Sequence, residues 1–77
     1  MILGIVLISV APTNEQAVHD ELSNITEIAE LHTLVGDYDM IAKIEADTLS
    51  HLYNIVTDKI HNIKGILDTK TLPGLTV

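Results

Sequence analysis

Four histidines, His19, His32, His51 and His61, are the residues of this 77-residue chain best suited to ligate a metal or to act as a general base. Their spacing argues against a shared task. His51 and His61 stand ten residues apart, which on one helix is about 80° of rotation and nearly three turns, and His19 falls in a different segment. These three are read as solvated surface residues, and neither a metal nor another cofactor is expected. His32 lies beside Glu30 in an alternating segment. It reads as a histidine hydrogen-bonded within a subunit interface or as a base, although no nucleophile is placed next to it.

The run Gly36-Asp37-Tyr38-Asp39 carries a second kind of chemistry. As plain structure it is a tight turn, with Asp37 suited to the turn conformation and Asp39 closing the strand after it. As a site, it would present backbone N–H groups beside two carboxylates. That pairing suits a zwitterion, with N–H donors for an α-carboxylate and a carboxylate for an α-ammonium. Thr69 and Thr71, two residues apart, would project both hydroxyls from one sheet face, as ordinary strand formers or as ligand contacts. Neither pattern is specific by itself.

Periodicity locates the elements that must hold these residues. Ile2 to Val10 is β-branched and apolar at odd and even positions alike, which predicts a central strand covered on both faces. Pro12 ends it, and Thr13 with Gln16 forms an expected capping box for a helix whose inward stripe is Val18, Leu22 and Ile25. From Glu27 to Val35 the period changes to two. Ala29, Leu31, Thr33 and Val35 fall on one side, and Ile28, Glu30, His32 and Leu34 on the other. Gly36-Asp37 is expected as a two-residue type II′ connection to a third strand, Tyr38 to Ala46. Asp47 is the expected N-cap of a second helix, with Leu49, Leu52, Tyr53, Val56, Ile60 and Ile63 inward and Gly65 as its stop. Ile66 to Leu72 is a short fourth strand, ended by Pro73-Gly74.

The order is βαββαβ, a ferredoxin-like α+β arrangement with a four-stranded antiparallel sheet, strands 1 and 3 central and both helices on one face. Two helices cover one face only. Because strand 1 is apolar on both, the second face is expected to be buried by another copy of the chain, giving a dimeric α/β barrel. Size supports this, since a domain of this length buries only about 60% of its unfolded surface. Cysteine is absent, so neither disulfides nor thiolate sites can supplement the core.

Charge narrows the partners. Four lysines, no arginine and 11 carboxylates leave a net charge of −7. Such a chain repels a phosphate backbone and an anionic membrane surface, so no direct nucleic-acid or membrane contact is expected. The apolar start, Met1 to Ile8, has no basic residue before it and is shorter than the ~20 residues of a membrane span. It reads as a strand, and a cytoplasmic location is expected.

Val35-Gly36-Asp37-Tyr38-Asp39, the apolar strand with Lys43, Asp47, the helix from Leu49 to Ile63, Gly65-Ile66 and Thr69-Lys70-Thr71 together resemble the effector-binding RAM domain of the Lrp/AsnC, or feast/famine, regulators. The resemblance runs over essentially the whole chain and is strongest from Thr33 to Leu72. Residues 1–77 are accordingly read as a single RAM-like domain without the helix-turn-helix of the usual regulator. The resemblance implies a non-enzymatic transcription-regulatory sensor. It implies a sheet-to-sheet homodimer assembling into a higher oligomer, with a small amino acid bound where dimers meet. By position, Gly36, Asp37, Tyr38 and Asp39 would form one side of that pocket and Thr69 and Thr71 the other. Co-assembly with a full-length Lrp/AsnC regulator is a further expectation.

Two other readings share the fold. Small dimeric α/β-barrel enzymes of the monooxygenase or isomerase type need a roomy cavity between helices and sheet. A chain with no Phe or Trp and an Ile/Leu/Val core offers little to line one. ACT-like modules also bind amino acids, normally beside a catalytic domain, and metal chaperones of this fold need a cysteine pair.

Overall fold

A computed structural model describes residues 1–76, with side chains as far as Leu72. The elements are β1 (Ile2–Val10), α1 (Glu15–Ser23), β2 (Ile28–Thr33), β3 (Met40–Ala46), α2 (Leu49–Ile55) continued by a π-helical turn (Val56–Ile60), and β4 (Ile66–Thr76). The four strands form one open antiparallel sheet in the order β2-β3-β1-β4. This is the expected ferredoxin-like arrangement, with β1 and β3 central.

One face of the sheet is the core. Val6, Ile8 and Val10 of β1 and Met40, Ala42, Ile44 and Ala46 of β3 are buried, packed with Val18 and Leu22 of α1 and Leu52, Ile55, Val56 and Ile60 of the second helical segment. The pairing Val6↔Ala42 and Ile8↔Met40 sets large residues against small or flexible ones. Gly4 sits beneath α2, where an added Cβ would stand 2.6 Å from a Leu52 methyl carbon. The helix–sheet layer is therefore filled, leaving no slot above Gly4 for a substrate. On the opposite face Leu3, Ile5, Leu7 and Ile41 remain only half-buried within one chain.

Several local expectations are corrected. The first helix lacks the Thr13–Gln16 capping box. Thr13 takes φ +74°, Asn14 is the N-cap without a side-chain bond, and the Gln16 amide donates to Asp20 instead. A left-handed Thr13 cannot hold the extended geometry that a side-chain cap requires. Thr48 rather than Asp47 caps α2, its Oγ1 accepting from the His51 N–H at 3.1 Å. The extended backbone of Thr48 is what that geometry needs. Leu49 and Tyr53 face outward, 45% and 44% exposed, and Ile55 takes the inward place.

In β2, the register slips between Ile28↔Ile44 and Glu30↔Lys43, so Ala29 is an extra residue in a bulge. Ile28 and Leu31 consequently both pack on the core, contrary to strict alternation. The fourth strand does not stop at Pro73-Gly74. It continues to Thr76 through a register shift between Ile5↔Leu72 and Leu3↔Leu75. An edge strand can absorb a proline, because a bulge accommodates the missing N–H.

Candidate functional site

The β2–β3 connection is a wider loop than a two-residue type II′ turn, spanning residues 34–39. The Leu34 N–H donates to the Asp39 carbonyl at 2.8 Å, closing the loop around residues 35–38. Gly36 has φ +141°, a value that side chains rarely adopt, so glycine is required there. Asp39 anchors the loop to β1 twice. Its N–H donates to the Ile8 carbonyl and its Oδ2 accepts from the Val10 N–H, each at 2.8 Å. Asp39 is thus a strap across the end of the sheet, while Asp37 and Val35 stand exposed at the loop tip.

Thr69 and Thr71 pair with Ile8 and Val6, whose side chains lie on the core face. Both hydroxyls therefore belong to the helix side of β4, where each residue is half-buried. The π-helical turn reaches this strand. It ends with the His61 N–H donating to the Val56 carbonyl five residues back, at 2.9 Å, and His61 Nε2 is hydrogen-bonded to Thr69 Oγ1. A groove of about 250 Å³ opens there, bordered by His61, Ile66, Leu67, Asp68 and Thr69. His61 is exposed, as its spacing from the other histidines leads one to expect, but its ring bonds Thr69, a contact that this spacing does not give. Only its proximity to a helix end and a Thr-rich strand hints at the contact in the sequence.

Within one chain the two groups of candidate residues do not share a pocket. Met40 and Thr69 both pair with Ile8, from opposite sides, so the loop end of β3 and the Thr strand are separated by β1, about 10 Å in all. Gly36, Asp37, Tyr38 and Asp39 lie at the β2–β3 end, and Thr69 and Thr71 on the far edge strand.

The open sheet face carries its own charged group. Glu30 bonds His32 Nε2 and Lys43 Nζ, both at 3.2 Å. The His32 contact first, and Lys43 second, hold the Glu30 carboxyl below the usual carboxylate value. On the other side of the molecule Lys59 reaches Glu27 at 2.7 Å, and that bond is the main cause of a lowered Glu27 value. Among the described residues no three His, Asp or Glu side chains gather to hold a metal ion. No helix among them is long and apolar enough to cross a membrane.

A family model described as the Lrp/AsnC ligand binding domain matches residues 3–75. The chain belongs to the Lrp/AsnC family. Its curated relatives include the HTH-type transcriptional regulator FL11 of Pyrococcus furiosus, 34% identical over 76 residues, which is 99% of this chain and 50% of FL11. The Lrp/AsnC chain spans between about 39% and 50% of the length of the curated relatives it matches. Among solved structures it is similar to the hypothetical protein PHS023 from Pyrococcus horikoshii. That match has a TM-score of 0.90 and 31% identity, and covers 100% of this chain and 93% of that one. The transcriptional regulator NMB0573 of Neisseria meningitidis, solved as an L-Met complex, has the same fold at a TM-score of 0.80. The identity is 13%, over 97% of this chain and 50% of that one.

Proposed function

We propose that this Lrp/AsnC domain is an amino-acid sensor, not an enzyme, that binds a small zwitterion where two dimers meet and couples its presence to assembly. The observation that carries the reading is the 34–39 loop. Asp39 pins it to β1, Gly36 provides its left-handed corner, and the carboxylate of Asp37 stands at its exposed tip. Loop N–H groups suit an α-carboxylate and Asp37 suits an α-ammonium. Thr69 and Thr71 of a neighbouring copy supply the other wall. A site divided between copies accounts for the separation of the two residue groups within one chain. The methionine in the Neisseria regulator supports an amino acid as the class of ligand.

The dimer uses the open sheet face. Leu3, Ile5, Leu7 and Ile41 form an apolar strip that a second copy covers, leaving the helices outside. Ligand at a boundary between copies shifts the assembly equilibrium by its preference for the assembled state. Regulation then proceeds through assembly, alone or with full-length regulators of the family, in the cytoplasm. The net charge of −7 supports a domain that makes no nucleic-acid contact of its own.

A thermal-shift screen against the twenty amino acids, run with light scattering, tests the reading. A rise in melting temperature together with a change in mass is expected for a subset of them. No response to any amino acid sinks the proposal.

A further inference from the structure

The sheet face away from the helices is apolar along its middle and charged along both sides. Strand pairing places Leu3, Ile5, Leu7 and Ile41 in the centre, each half-buried. Directly paired residues share a face. Glu30, His32, Lys43 and Glu45 therefore flank the strip on the β2–β3 side, and Asp68 and Lys70 on the β4 side. Among the described residues of this face, three carboxylates stand against two lysines. One negative charge is left over while His32 is neutral, and none once its ring is protonated. The excess lies on the β2–β3 side, where the Glu30 carboxylate serves both His32 Nε2 and Lys43 Nζ, at 3.2 Å each.

We propose that His32 makes the pairing of two copies through this face pH-dependent, with protonation of its ring strengthening the pair. The inference rests on the sheet-facing dimer proposed above. In a two-fold contact the face meets itself: apolar strip covers apolar strip, and sides of mixed sign can answer each other. The one mismatch is the surplus negative charge, present twice in the pair. On this face His32 is the side chain whose type changes charge between about pH 5 and 8 and so can remove it. Glu30 stays ionised there, its carboxyl held below the ordinary value by His32 first and Lys43 second. The other charged groups around the ring do not replace it. Lys43 and Glu45 face it from β3, β1 presents uncharged Leu7 and Ser9, and Asp68 and Lys70 lie beyond β1. The loop after β2 adds Asp37 at its tip and Asp39, whose carboxylate is taken by the Val10 N–H. Across the sheet, α1 brings Glu15 and His19 towards Thr33. Burial opposes a protonated ring, but His32 stands on an edge strand with its side chain 63% exposed in one chain. It therefore stays at a wet rim of the covered face, where that penalty is small and attraction to the second copy's surplus carboxylate decides the sign.

The test is sedimentation equilibrium of the whole chain on either side of the histidine range, at about pH 5.5 and about pH 7.5 and constant ionic strength, with circular dichroism to confirm folding. Leu7→Ala, which thins the apolar strip, is run beside it so that a dimer too tight to dissociate still yields a constant. Dimerisation is expected to be about tenfold tighter at the lower pH. His32→Gln should keep the neutral-pH constant in acid. His32→Lys, a fixed cation, should pair at neutral pH about as the unmodified chain does in acid. His19→Gln, altered on the helix side of the sheet, should retain the full response. Equal dimerisation at the two pH values, or weaker pairing in acid, overturns the inference while the dimer reading stands. So does a full response in His32→Gln, or a His32→Lys dimer weaker than the unmodified one at neutral pH. An unmodified chain that is monomeric at both pH values removes the sheet-facing dimer, and this inference with it.

Discussion

The Asp39 carboxylate accepts a hydrogen bond from the Val10 backbone N–H at 2.8 Å, across 29 positions of sequence. Its own N–H and carbonyl are used as well, by Ile8 and Leu34. One side chain therefore ties the last residue of β1 to the loop proposed to hold the ligand. Asp39→Ala removes the acceptor and is expected to cost about 1–3 kcal/mol in chemical denaturation. Asp39→Asn, which keeps an acceptor oxygen, should cost less. Amino-acid binding should weaken in Asp39→Ala while the dimer survives in sedimentation. Binding at wild-type strength in that variant would show that loop placement does not matter to the ligand.

Thr48, not Asp47, caps α2. Thr48→Ala should destabilise the fold by about 1 kcal/mol. Asp47, whose side chain is almost fully exposed, should tolerate alanine with little change. Urea unfolding of the two variants side by side checks the assignment, and the reverse ranking would contradict it.

Gly4 and Leu52 are expected to be coupled. A Cβ at position 4 would lie 2.6 and 2.7 Å from the two Leu52 methyl carbons, so Gly4→Ala should cost about 1–3 kcal/mol through overpacking. Combining it with Leu52→Ala should cost less than the sum of the two single changes, since the cavity of one accepts the methyl of the other. Strict additivity in a double-mutant cycle would mean that the methyl is accommodated elsewhere.

Glu27 and Lys59 tie the turn after α1 to the end of the second helical segment. The hydrogen bond from Lys59 is the chief reason that the Glu27 carboxyl is held below its ordinary value of 4.5. A carboxyl depressed in the folded state contributes stability that is complete above its unfolded value and lost as pH falls through the folded one. The contribution should therefore be present at neutral pH and disappear on acidification below about 4.5. With the lysine about half exposed, solvent screening limits the pair to at most about 1 kcal/mol. Glu27→Gln should flatten the acid limb of the melting-temperature profile, and an unchanged limb would remove the pair from the account.

Leu7 lies in the middle of β1 on the half-buried face. Leu7→Lys should leave the helix-side core untouched and reduce self-association, giving a lower mass in sedimentation with retained circular dichroism. If the unmodified chain already sediments as a folded monomer at micromolar concentration, the proposed sheet-facing dimer is lost.

Much of the fold is legible in the sequence because it depends on local pattern. The apolar run of β1, the helical spacing of Val18 and Leu22, and the switch to period two after Glu27 locate the elements, and their order leads to the sheet. The boundaries are less legible where two local signals compete. Asp47 and Thr48 are both good caps, and only the backbone angle at Thr48 separates them. Pro73 reads as a stop, yet an edge strand with a bulge accepts it. The six candidate residues can be picked out in the sequence only as candidates, and that β1 separates the 36–39 loop from Thr69 and Thr71 cannot be read there.

The sequence by itself determined that this chain is small, acidic and arginine-free, that its core is aliphatic, and that its first strand has two apolar faces. Composition and periodicity carry such properties without any folding. Only the tertiary structure decided that Asp39 bonds Val10, that Ala29 bulges so that Ile28 and Leu31 share a face, and that His61 meets Thr69. Each of these depends on register between segments distant in sequence or on a single extra residue in a strand or helical repeat. A hydrogen bond across 29 positions leaves no periodic trace, because its partners are chosen by the packing that brings them together.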